Sequence, residues 1–252
     1  MITAGQIYDF IDRIAPFETQ SEFDNAGLLV GDRTREVTKV LFCLDVTEKA
    51  IEDAEEFGAE LIISHHPVIF DPLVFVPAKS IVAKAIRKKL TVICAHTNWD
   101  QAEGGVSNIL AVLLGLENIR RLSETGEEAM VYVGDLPVQM TARDLAELAS
   151  EALGTFVSVS LPDKELYTVA VCGGAGGSFW PSLIGQNVDA LLTGEVKHHD
   201  FVDAKLEDIS LLAAGHYETE TISMPVLMNF ILQEFPTLEC RYIEEPTVEY
   251  IG

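Results

Sequence analysis

Apolar residues recur at Ile7, Phe10, Ile11 and Ile14 in the opening segment. That spacing lays one apolar stripe along a helix from Thr3 to Ala15, which Pro16 brings to an end. The next stretch, FDNAGLLVG, is rich in turn residues and runs into apolar ones. From Lys39 the rhythm changes. VLFCLDVT (40–47) is apolar without polar alternation, as in a strand buried on both faces. EKAIEDAEEFG (48–58) reads as a helix closed by glycine, and ELIISHHP (60–67) as a second strand whose last residues turn polar. Ser80 to Leu90 reads as a helix, TVICAHT (91–97) as a strand and Ser107 to Leu114 as a helix. Strands separated by helices predict a parallel sheet with helical cover.

The second half repeats this grammar. Residues 130–161 read as strand, helix and strand. YTVAVCGG (167–174) is a strand leading into a glycine-rich turn and a weakly helical stretch, and VDALLTGE (188–195) is a strand with a polar end. ISLLAAGHYETE (209–220) is a strand entering a helix, and TLECRYIEE (237–245) a closing strand. Asp45 to His65 spans 20 positions and Gly174 to Glu195 spans 21, which suggests two related lobes, although any α/β protein shows some recurrence. The expected fold class is α/β, with two similar lobes, each a sheet covered by helices, and a dinuclear metal site between them. The first lobe is set at 1–125, joined by the strand in 237–252, and the second at 126–236.

The 252 residues carry 40 acidic and 17 basic side chains, a net charge of −23 that repels polyanions, so no nucleic-acid partner is expected. The one basic cluster, Arg87-Lys88-Lys89, ends a helix, where cations meet the dipole favourably. No apolar run approaches the roughly 18 to 20 residues that cross a bilayer, and MITAGQIYDFIDRI lacks the features of a secretory signal. No membrane partner is expected, and the expected location is cytoplasmic. Cys43, Cys94, Cys172 and Cys240 are scattered singly, the first three in strand-like apolar runs, and read as reduced thiols.

Histidine placement is the sharpest chemical signal. All six fall in four places, His65-His66, His96, His198-His199 and His216, each at or just beyond the end of a predicted strand. In open α/β sheets that is the edge where ligands bind. Adjacent residues leaving a strand diverge, so His65 and His66 suit two neighbouring ions better than one; alternatively one is buried and bonded while the other is solvated. Asp100, four residues after His96, is either a carboxylate ligand or a turn residue. His216 and Glu220 share a helix face at i, i+4 spacing, as a ligand pair or as an incidental surface pair. Two ions about 3.5–4 Å apart with a bridging carboxylate would use three imidazoles and two carboxylates economically. GGAGGSF (173–179) is either an anion cradle or an ordinary tight turn, and it lacks the Lys and Ser/Thr ending of a P-loop.

FDNAGLLVG, LDVT, SHHPVIF, AHTNWDQAEGGVSN, TGEVKHHD and GHYETE occur here in the order that marks the GTP cyclohydrolase 1 type 2 homologue family, also called NIF-three-like proteins. The chain resembles the compact form, without the inserted middle domain of many members. The resemblance implies two divalent ions (Zn, Fe, Mn, Co or Ni), with His65 and Asp100 on one, His66 and His216 on the other, and Glu220 bridging. It implies a homohexamer, a toroidal ring with the metals facing an internal cavity. His96, Glu195 and His199 are then candidates for proton transfer or for orienting ligands, with His198 beside them; lobe-closing hydrogen bonds are the alternative. The implied activity is metal-dependent hydrolysis of a small-molecule substrate: opening of the imidazole ring of GTP with release of formate, giving dihydroneopterin triphosphate. A two-metal phosphoesterase acting on a small phosphorylated compound, and a non-catalytic metal-binding scaffold or metal-supply protein, are the alternatives.

Overall fold

The computed structural model describes residues 1–124, 126–246 and 248. In chain order its elements are β1 (Ile2–Thr3), α1 (Ala4–Ile14), β2 (Gly27–Val30), β3 (Glu36–Val37), β4 (Lys39–Cys43), α2 (Glu48–Phe57), β5 (Leu61–Ser64) and α3 (Ile81–Arg87). Then follow β6 (Thr91–Cys94), α4 (Thr97–Asp100), α5 (Val106–Leu113), β7 (Glu117–Arg121), β8 (Tyr132–Thr141), α6 (Ala142–Leu153), β9 (Ser158–Val159) and β10 (Glu165–Cys172). The last are β11 (Ala190–Thr193), α7 (His198–Leu206), β12 (Ser210–Ala213), α8 (His216–Thr221), α9 (Met224–Glu234) and β13 (Glu239–Tyr242). Contacts divide the chain into two units, Met1–Trp99 with the described residues from Ser223 onward, and Asp100–Ile222.

The first unit is built on a five-stranded sheet of order β13-β4-β5-β6-β2. β13, β4, β5 and β6 run parallel and β2 closes the edge antiparallel. The register aligns Leu41 with Ile62 and Ile62 with Val92, and these pack with Ala50, Ile51 and Ala54 of α2 and with Val82 and Ala85 of α3. α9 packs on β4 and β13, the opening helix α1 is held by a capping box between Thr3 and Gln6, and Trp99 meets Phe230 edge-on. Because β4, β5 and β6 are parallel, the residues that follow them, Asp45, His65-His66 and His96, emerge at one edge.

The second unit holds a six-stranded sheet of order β7-β8-β10-β11-β12-β9, with β10, β11 and β12 parallel. Alternate residues feed opposite faces: Val169, Leu192 and Leu212 pack with α5 and α6, while Ala170, Leu191 and Leu211 pack with Trp180, Leu183 and Ala204. Gly173, Glu195 and His216 lie just past the ends of its three parallel strands.

Each strand read from a continuous apolar run is present. The expected boundaries at 125 and 236 differ from those of the structure. Residues 100–124 belong with the second unit, because α5 packs on β10 and β8 while β7 pairs with β8. Residues 223–236 belong with the first, because α9 packs on β4 and β13. The stretch after the glycine-rich turn is a 3-10 helix, Gly176–Leu183, and Asp100 ends a short helix rather than sitting in a turn. Among the described residues, no helix is long and apolar enough to cross a membrane. The four cysteines are unbridged, three buried and Cys240 intermediate.

Candidate metal centre

In the first unit His65 is fully buried and its Nδ1 lies 2.9 Å from the Ala95 carbonyl oxygen. A carbonyl only accepts, so the proton sits on Nδ1 and Nε2 carries the lone pair. The His66 Nδ1 is 2.8 Å from Asp45 Oδ1, and the His96 Nδ1 is 2.8 Å from Asp24 Oδ1. The three rings converge, with centroids 5.1 Å apart for His65 and His66, 5.2 Å for His65 and His96, and 5.6 Å for His66 and His96. Each offers a nitrogen within 4.8 Å of the others'.

Asp24 anchors this edge. Its carboxylate accepts from the Asn25 N–H at 2.6 Å, the Thr97 N–H at 3.1 Å and the Thr97 hydroxyl at 2.5 Å, besides His96. Burial pushes its pKa up, but the hydrogen bonds and charge of His96, with those of Thr97 and Asn25, outweigh it and bring the carboxyl down to about 2.

In the second unit Asp100 and Glu220 are buried at 8% and 3% exposure, each with a carboxylate oxygen within 4.8 Å of the other's. Two carboxylates so placed repel one another and lose hydration, a cost that a cation offsets. Cys172 registers that field: burial first, then the negative charge of Asp100 and of Glu220, push its thiol pKa up. His216 opens α8, with Nδ1 2.9 Å from Glu195 Oε1 and Nε2 3.1 Å from Glu220 Oε1.

The glycine-rich turn has a packing role here. Gly174 has φ +60°, and a Cβ on it would lie 2.0 Å from Glu220 Oε1 and 3.3 Å from His216 Nε2. A Cβ on Gly177 would lie 2.4 Å from the Glu195 carbonyl oxygen. The backbone N–H groups of Gly173, Gly174, Gly176 and Gly177 donate to Ser107, Thr219, Thr193 and Glu195 respectively. Those amides are used within the fold, which favours the tight-turn reading over an anion cradle.

Four histidines thus share one device, an Nδ1 held by oxygen, which orients the ring and turns Nε2 away from that tether. Imidazole nitrogen with carboxylate oxygen suits divalent transition metals, and these clusters could bind metal ions. His198 and His199 begin α7; the His199 side chain is 69% exposed, 3.6 Å from Asp200 Oδ1. Among the described residues the groups of three or more metal-competent side chains include neither of them, nor Glu195. Asp24 and Asp45 are functional residues that no spacing or periodicity in the sequence singles out. Their only signal was a lone aspartate in each of the FDN and LDVT motifs.

The Duf34/NIF3 (NGG1p interacting factor 3) family model matches residues 2–247. A Clostridium perfringens protein named GTP cyclohydrolase 1 type 2 homolog is 32% identical over 234 residues, covering 89% of this chain and 88% of that one. A longer Listeria monocytogenes protein of the same name is 31% identical over 94% of this chain but only 61% of its own length. The crystal structure of the Staphylococcus aureus hypothetical protein SA1388 superposes with a TM-score of 0.90 at 27% identity, covering 99% of both chains.

Proposed function

Because the chain belongs to the Duf34/NIF3 family, we propose that it is a hydrolase dependent on two divalent metal ions, acting on a purine nucleotide as the name of its relatives suggests. His65 and Asp100 would hold one ion, His66 and His216 the other, and Glu220 would be shared by both. The observation that carries the reading is the set of Nδ1-tethered imidazoles His65, His66 and His216, each just past the end of a strand, together with the buried carboxylates Asp100 and Glu220. The donor set fits the group: nitrogen and carboxylate oxygen with no thiolate, a composition that accepts Zn, Fe, Mn, Co or Ni. When bound, the ions supply Lewis acidity and lower the pKa of a coordinated water.

The chain's own residues do the rest. Asp24 holds His96 by its Nδ1 and fixes the ring, so His96 Nε2 is the atom placed to pass a proton to the departing purine nitrogen. Glu195 orients His216 rather than transferring protons, and exposed His199 has the weakest claim of the three candidates. In the proposed reaction GTP and one water become formate and dihydroneopterin triphosphate. A homohexameric ring in the cytoplasm belongs to the same proposal, and sedimentation of purified protein as a monomer would overturn the ring.

The test is incubation of metal-loaded protein with GTP, beside a His66→Ala control. Formate release that vanishes in the control supports the reading. Inorganic phosphate in place of formate points to a two-metal phosphoesterase. Neither product at full metal occupancy rejects the hydrolase and leaves a metal-binding scaffold.

A further inference from the structure

The site proposed above accounts for the polar groups of the first unit's strand edge but leaves an apolar feature beside them. Phe23, next to Asp24, is 55% exposed, and Phe70, four residues past His66, is 47% exposed. Their ring centroids are 6.3 Å apart with planes tilted by 30°, and the Phe70 ring lies edge-on to His96 at 6.4 Å. Asn25 Nδ2 donates to the Ile69 carbonyl at 2.7 Å, tying the segment that carries Phe23 to the one that carries Phe70. The pair is therefore held in place at both ends: Asp24 by His96 and Thr97, Ile69 by Asn25.

A fixed pair of exposed aromatics beside convergent polar groups has the mix of apolar and polar side chains that small-molecule sites use. The occupant follows from charge. With 40 acidic against 17 basic residues, the long-range field of this chain opposes a phosphorylated ligand. Beyond what bound cations supply, affinity for such a ligand comes from its uncharged part, and a planar ring presents a π-face that any aromatic side chain accepts.

We propose that Phe23 and Phe70 form a stacking platform that binds the planar heteroaromatic ring of the substrate beside His96. The proposal rests on the purine-nucleotide reading for its substrate and makes these two residues determinants of specificity. Leu73, Val74 and Phe75, also exposed, continue the apolar segment beyond Phe70 and are not needed for the platform.

A binding measurement that needs neither turnover nor metal tests it. In a Phe70→Trp variant, titration with guanosine should quench the added fluorescence saturably relative to wild type, whereas inorganic tripolyphosphate should not. Adding Phe23→Ala should weaken guanosine binding on the order of tenfold, and Phe23→Tyr should restore it. Absence of quenching overturns the platform. So does affinity that Phe23→Ala leaves unchanged, or a signal that tracks protein concentration without guanosine, which would mean that a second copy covers the rings. Formate assays run alongside separate the two ideas. Guanosine stacking without formate release sinks the hydrolase and keeps the platform, while formate release with an unaltered KM in Phe23→Ala and Phe70→Ala does the reverse.

Discussion

At Asp24 burial and hydrogen bonding pull in opposite directions, and hydrogen bonding wins, leaving the carboxyl at about 2. A depressed carboxyl stabilises the fold above its unfolded pKa, near 4, and that stabilisation is lost as pH falls through the folded value. The expected outcome is that metal-free wild type loses on the order of 2 kcal/mol between pH 4 and pH 2 through this group, and that Asp24→Asn lacks that part of the loss. Urea titrations at several pH values check it; identical pH profiles would refute it. Gly174 makes a second residue-scale prediction. A methyl there collides with the Glu220 carboxylate and forces a left-handed backbone on alanine. Gly174→Ala should keep its far-UV circular dichroism yet bind metal at least tenfold more weakly, read by isothermal titration with Zn or Mn. The histidines were legible as residues because they cluster at strand ends, but their oxygen partners were not. Asp24 lies 72 positions from His96, and Glu195 lies 21 from His216, and no local pattern joins such pairs.

The strands that carry the site are short, and β4, β5 and β6 are almost wholly buried. Ile62, in the middle of the first sheet and fully buried, should cost about 2–5 kcal/mol when cut to alanine, mostly through the cavity left behind. Denaturant unfolding measures it, and a loss below about 1 kcal/mol would mean that the core collapses around the gap. At the start of α6, Thr141 and Asp144 cap each other's backbone, so Thr141→Ala should cost about 1 kcal/mol. Continuous apolar runs made the parallel strands readable, and four helix starts carry a side-chain cap, at Thr3, Thr47, Ser80 and Thr141. Several elements gave no such signal, two of them large enough to shape the fold. α9, MPVLMNFILQE, is apolar on several sides with no clean stripe, and β7, ENIRR, is a polar edge strand.

For the whole molecule the net charge of −23 sets the response to salt. Self-repulsion among like charges is screened over about 10 Å at 0.1 M ionic strength, so the melting temperature should rise from low salt to about 0.15 M. Calorimetry across a sodium chloride series would show it, and a falling melting temperature would mean that attractive ion pairs dominate. Metal linkage acts at the same scale. A cation that binds only the folded chain stabilises it by mass action, so a chelator should lower the melting temperature of wild type more than that of His66→Ala, which lacks a ligand of one ion.

By itself the sequence determined the alternation of strand and helix, the edge on which the histidines fall and the motif order that marks the family, because each of these is written in local periodicity or in adjacent residues. Only the tertiary structure decided which oxygen tethers each imidazole, where α9 packs, and that β13 lies beside β4. Such pairings are selected by packing and burial among residues remote along the chain, and a one-dimensional pattern holds no record of which of them meet.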